Sequence, residues 1–139
     1  MMSDINDEII LAARLLLATL FLIIGWRKLT DYPGTVSQIV QLGAPMPVLA
    51  AAVAIFMEIP VAFAVAVGAF ARPSALLLVL YTLGTALIGH RYWTMTGADL
   101  VANMDGFYKN LSIMGGFLLL YITGAGKYSI DVLCGIAAP

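Results

Sequence analysis

Glu58 stands alone in a long apolar run. The 23 residues from Val48 to Phe70 contain no other charge. At about 1.5 Å per residue, a helix of that length crosses a hydrocarbon layer of about 30 Å. An ionisable group at such depth costs on the order of 2.5–3.5 kcal/mol to insert, so it requires a partner or a task. Any fold open to this chain must give Glu58 an inner face, away from lipid.

Composition points to the bilayer as solvent. The chain is 62% hydrophobic and 11% charged, against about 45–50% and about 25% for soluble domains. At 139 residues a single domain over 1–139 is expected. A net charge of −1 supplies no basic field, so nucleic acid is excluded as a partner. The one cysteine, Cys134, forms neither an internal disulfide nor a CxxC redox pair, and the one histidine, His90, cannot supply two axial haem ligands. No nucleophilic triad, phosphate loop or metal-ligand cluster is present. The acidic start, MMSDINDEII, has no small-residue cleavage site after the first apolar run, which therefore reads as a retained helix.

Four apolar segments predict four membrane helices, at about 9–29, 46–70, 74–92 and 107–123. Arg72 and Pro73 form a short turn between the second and third, with Pro73 suited to a first helical turn. Gly124 and Gly126 end the fourth. Between the first two helices, Val36, Ile39, Val40 and Gly43 recur at helical spacing, which predicts a short interfacial helix. Trp93 to Gly106 is largely polar and reads as a loop. The expected architecture is all-α: an integral membrane four-helix bundle, up-down-up-down, with both termini on one side and two longer loops on the other. Arg72 and Lys127, with Arg14, lie on the terminal side; Arg27, Lys28, Arg91 and Lys109 lie on the loop side. That balance assigns no orientation under the positive-inside rule.

In the first helix Arg14, Ala18, Phe21, Gly25 and Lys28 are spaced by four, three, four and three, which places them in one arc of roughly 80°. A stripe charged at both ends belongs against other helices. Glu58 shares its face with Ala51, Ala54, Ala62, Val65 and Ala69. Pro60 should free the carbonyl of Phe56 and bend the helix beside it. An extended arginine spans about 7 Å, so an Arg14–Glu58 ion pair is the expected polar core. The competing readings are an Arg14 that snorkels to the interface and a neutral Glu58 bonded to a carbonyl. On the loop side Trp26, Lys28, His90, Arg91, Tyr92, Trp93, Phe107, Tyr108 and Lys109 approach one interface. They read either as an ordinary aromatic belt or as the mouth of a pocket for an amphipathic ligand, whose oxygens Lys28, His90 or Lys109 would bond. Lys109 opposes the helix dipole where it stands, which calls for a tertiary partner.

An ordered set of residues resembles the DoxX family of small four-helix membrane proteins. It comprises Arg14, Phe21, Gly25, Lys28-Leu29, Gly43-Ala44-Pro45, Glu58, Gly68 with Arg72, Phe107 with Lys109-Asn110, and Gly124-Ala125-Gly126 with Ser129-Ile130-Asp131. The resemblance runs from about Leu11 to Asp131 and leaves out the tail with Cys134. It implies a multi-pass protein of the prokaryotic cytoplasmic (inner) membrane. It also implies a link to quinone-coupled redox chemistry, since relatives serve as subunits of thiosulfate:quinone or quinol-oxidising systems and of oxidative-stress complexes. Three functions are weighed, in this order. The first is an accessory or anchoring subunit of a membrane redox system, with no covalently bound cofactor, partnered by the bilayer and by other membrane or redox subunits. It would bind quinone or lipid at Lys28, Trp26, His90, Trp93, Lys109 and Asn110. The second is a purely structural subunit, and the third a small proton-coupled carrier using Glu58. The sequence does not decide whether the chain is itself an enzyme.

Overall fold

A computed structural model describes residues 2–138, and these contain helices and no strand. The first rod, α1 (Met2–Thr30), runs unbroken for 29 residues. A short helix, α2 (Tyr32–Gln41), follows, its start capped by the Asp31 carboxylate, which accepts from the Gly34 amide at 3.1 Å. The second rod has three parts: α3 (Pro47–Phe56), a π-helical turn (Met57–Val61) and α4 (Ala62–Val67). Pro60 explains the π turn. Lacking an N–H, it leaves the Phe56 carbonyl without its helical donor, and the backbone widens locally instead of kinking apart. Next come α5 (Ala71–Gly89), a 3₁₀ turn (Tyr92–Thr94), α6 (Gly97–Thr123) and the short α7 (Ile130–Leu133).

Several boundaries differ from expectation, and α1 already begins at Met2. The turn between the second and third rods falls at Gly68–Phe70, and Arg72 and Pro73 lie inside the first turn of α5. Gly68, at φ +71°, adopts the left-handed conformation that ends α4. The polar stretch read as a loop up to Gly106 is mostly helix, because α6 starts at Gly97, ten residues before the apolar run. Polar residues such as Asn103 and Asp105 are compatible with a helix that projects beyond the oil.

Side chains from all four rods meet in one core: Phe21 from α1, Met57 and Val61 from the π turn, Ala62 and Val65 from α4, Ala75, Leu78 and Val79 from α5, and Phe117 and Leu120 from α6. The Phe21 ring packs tilted against Phe117 with centroids 5.5 Å apart. Around the outside, Leu16, Leu80, Leu119 and Ile122 are each at least 60% exposed, the pattern of surfaces that meet acyl chains. Among the described residues three stretches are long and apolar enough to cross a membrane: Ile5–Thr30, Pro47–Val67 and Ala71–Thr94. The apolar run of α6 is diluted by Lys109 and Asn110.

Candidate functional site

The stripe on α1 faces inward: Arg14, Ala18, Phe21 and Gly25 are buried and Lys28 is partly so. Glu58 is also buried, at 4% exposure. The two charges do not pair with each other, and helix register explains why. A Cβ added at Gly25 would lie 2.8 Å from the Glu58 Cβ, so Gly25 is the residue of α1 that passes Glu58. Arg14 is eleven residues earlier, about 16 Å along the axis. Its guanidinium lies beside Gly68, ten residues beyond Glu58 on the facing rod. No arginine side chain bridges that span.

Glu58 takes Lys28 instead. Lys28 Nζ donates to Glu58 Oε1 at 2.5 Å, and the Tyr81 hydroxyl, from α5, donates to the same oxygen at 2.5 Å. The pairing is possible because lysine lies one turn beyond Gly25 on the same face, and the absence of a Cβ at Gly25 lets the rods approach. Glu58 Oε2 and the Thr82 hydroxyl are both buried and have no hydrogen-bond partner among the described residues.

Arg14 belongs to a second polar cluster at the other end of the core. It donates to the carbonyls of Ala125 and, at 2.7 Å, of Tyr128, and the Asp131 charge faces it. The Asp131 carboxylate also accepts from the backbone amides of Phe70 and Ala71 at 2.7 and 2.9 Å, which caps the positive end of α5. Asp7 accepts from the Lys127 amide at 3.0 Å. The segment after α6 thus closes over the terminal side as a latch. A hollow of about 700 Å³ lies beneath it, and Asp7 and Asp131, which line it, are engaged in holding the latch.

Two cavities flank the Lys28–Glu58–Tyr81 cluster on the loop side. The outer one, about 440 Å³, lies between α2, α3 and α5. Its walls include Ile39, Leu42, Ala50, Val53, Ala54 and Ile88, and it ends on Lys28, Tyr81 and His90. The inner one, about 210 Å³, is floored by Glu58 and Thr82 and rimmed by His90, Lys109 and Asn110. Lys28, Tyr81, Thr85 and His90 line both. His90 Nδ1 lies 3.2 Å from Asn103 Oδ1, and its ring fills the space a side chain at Gly106 would occupy. Asn110 is buried and donates to Thr85 Oγ1 at 3.4 Å. Lys109 is exposed at the inner cavity's rim.

Trp26 and Trp93 are 63% and 54% exposed and line neither cavity. Trp93 joins Tyr92, Phe107 and Tyr108 in an edge-to-face aromatic cluster at the rim. Tyr81 and Thr82 were missed in the sequence. Their signal was a phenol and a hydroxyl inside an otherwise apolar third segment, each needing a partner in oil. Asp131 was noticed only as part of a motif; as an isolated acid just beyond a helix-ending glycine pair, it was a candidate counter-ion for Arg14.

The DoxX family model matches residues 9–91, more than half of the chain. The chain belongs to the DoxX family. The matched stretch holds Arg14, Lys28, Glu58, Tyr81 and His90, and so most of the inner cluster. The inner membrane protein YphA of Escherichia coli (strain K12) is 50% identical over 123 residues, 88% of each chain. The inner membrane protein YqjF of the same organism is 39% identical over 132 residues, 95% of this chain and 96% of that one. No solved structure matches. Family, relatives and three spanning-length apolar helices together make this DoxX protein a multi-pass inner membrane protein in contact with the lipid bilayer.

Proposed function

We propose that this DoxX protein is an accessory subunit of a membrane redox system, and that it binds a quinone head group in the outer cavity. The observation that carries the reading is the form of that cavity: apolar walls from α2, α3 and α5 that end on Lys28, Tyr81 and His90. An amphipathic ring fits such a gradient, with its tail toward lipid and its oxygens toward the polar end. The ammonium of Lys28 has three N–H donors and uses one on Glu58, so others remain for a quinone carbonyl. The Tyr81 oxygen donates to Glu58 and still accepts, which suits the hydroxyl of a reduced ring. With one histidine and one cysteine the chain has few ligands for an electron carrier, and on this reading the electron donor or acceptor sits on a partner subunit. In the membrane we place α6 as the fourth span of an up-down-up-down bundle, since its packing against α5 is the most extensive between any two helices described.

Gly84 provides the test. A Cβ added there meets nothing within 4 Å, and the residue lines the outer cavity. Gly84→Phe should fill the cavity without disturbing the backbone. Purified in mild detergent, the parent should be labelled by a photoreactive quinone on peptides from α2, α3 or α5, with an unreactive quinone competing. Gly84→Phe should lose that labelling. Equal labelling of parent and variant, or labelling that quinone does not compete, refutes the site.

A structural role is the second reading, and an apolar groove of about 540 Å³ between α1 and α6 favours it. Co-purification separates the two. A redox partner accompanied by quinone supports the first; a stoichiometric membrane partner with no quinone supports the second.

A further inference from the structure

The inner cavity has a use that quinone binding does not require. Its floor carries two buried polar atoms with no partner among the described residues, Glu58 Oε2 and Thr82 Oγ1. Burying a polar atom with no hydrogen bond costs about 1–3 kcal/mol, so two neighbouring ones call for an occupant. The sides are apolar, from Leu20, Phe21, Ile24 and Ile113, and the rim is polar and includes the exposed Lys109. At about 210 Å³ there is room for several waters, each needing about two to four polar partners. The titratable groups facing Glu58 are Lys28 from α1, Tyr81 from α5, His90 after α5 and Lys109 from α6; Glu58 is the one carboxyl lining the cavity. Two ammonium groups make it hostile to a metal cation, which leaves neutral water as the occupant that fits.

We infer that the inner cavity is a water-filled antechamber through which Glu58 exchanges a proton with the loop-side solution. The step is simple and balanced: a hydronium gives one proton to Glu58 Oε2 and leaves as water, and the reverse step returns it. Oε1, held by Lys28 and Tyr81, keeps the side chain in place while Oε2 exchanges. The wall of Lys28, Tyr81, Thr85 and His90 that this chamber shares with the outer cavity also puts Glu58 next to any ligand there. The inference stands whether or not a quinone binds.

The test uses the full chain in lipid nanodiscs with Cys134→Ser, which removes an exposed thiol. Thr82→Cys, on the chamber floor, and Ile113→Cys, on its side, are treated with a small charged methanethiosulfonate, which reacts with thiols in water. Leu80→Cys, on the lipid-facing side of α5, is the control. Both chamber thiols should react at least tenfold faster than the control; rates equal to the control overturn the inference. If Thr82→Cys does not fold, Ile113→Cys reads the same space. Infrared spectra across a pH titration should then show a carboxyl stretch that appears in acid, shifts in heavy water and is absent in Glu58→Gln. A spectrum without that Glu58-dependent band also overturns it. A parent that quinone does not label, with reactive chamber thiols, would defeat the proposed function alone, and the opposite pattern would defeat this inference alone.

Discussion

The register between α1 and the second rod makes a quantitative prediction. The perturbations are Lys28→Met, Arg14→Met and Glu58→Gln, alone and in pairs. Exposed ion pairs contribute about 0.2–1 kcal/mol, and breaking a fully buried one costs about 3–5 kcal/mol. The Lys28 and Glu58 side chains are 25% and 5% exposed, which places their pair between these limits. Lys28→Met should destabilise by about 2–3 kcal/mol, with a Lys28–Glu58 coupling of about 1–2 kcal/mol in the double-mutant cycle. Arg14→Met should cost about 3–5 kcal/mol on its own, because it leaves two carbonyls without their donor in a buried site and removes the positive charge near Asp131. Its coupling to Glu58 should stay within about 0.5 kcal/mol, because the groups are separated by about 16 Å of helix. The assay is reversible unfolding in mixed detergent micelles, followed by circular dichroism at constant lipid and pH. A coupling between Arg14 and Glu58 that equals or exceeds that between Lys28 and Glu58 would refute the register and return the polar core to a direct arginine–carboxylate pair.

Other outcomes can be measured the same way. Gly68→Ala forces a side chain into a left-handed backbone position and against Arg14 and Ser129, and should lower stability by about 2–4 kcal/mol in the same unfolding assay. Tyr81→Phe removes one donor to Glu58 Oε1 and should cost about 1–3 kcal/mol while leaving the aromatic contact with Phe21 in place, read by thermal unfolding and near-ultraviolet circular dichroism. Asp131→Asn weakens both the α5 cap and the field at Arg14; proteolysis should cut residues 124–138 faster in this variant than in the parent.

Much of the interior was legible because oil leaves few choices. A helix with Arg14 and Lys28 on one stripe must turn that stripe inward, and a carboxyl at position 58 must follow. Pro60 announced a disturbance in the helix, and the π turn is its form. The pairing of charges was not legible, because it depends on axial register, and register depends on where the turns fall. The connection from Thr30 through α2 to Pro47 sets the two rods so that Gly25 passes Glu58, Lys28 lies one turn beyond it, and Arg14 lies beside Gly68. The inner cavity was hidden for a related reason. Tyr81, Thr82, Asn110 and Glu58 sit on three different rods, and no spacing along one segment shows that they converge. An aromatic at an interface, such as Trp26 or Trp93, has the same sequence signature whether it lines a pocket or faces headgroups.

The latch also sets an order of events during synthesis. The carbonyls that receive Arg14 lie 111 and 114 residues later in the chain. At about 5–20 residues per second, a ribosome needs on the order of 5–20 s to supply them. Throughout that interval the first helix carries a cation whose permanent acceptors have not been made. It must wait at the membrane surface or borrow headgroups, and a chain interrupted before residue 125 would never release it. A segment made late therefore decides whether the first helix can settle.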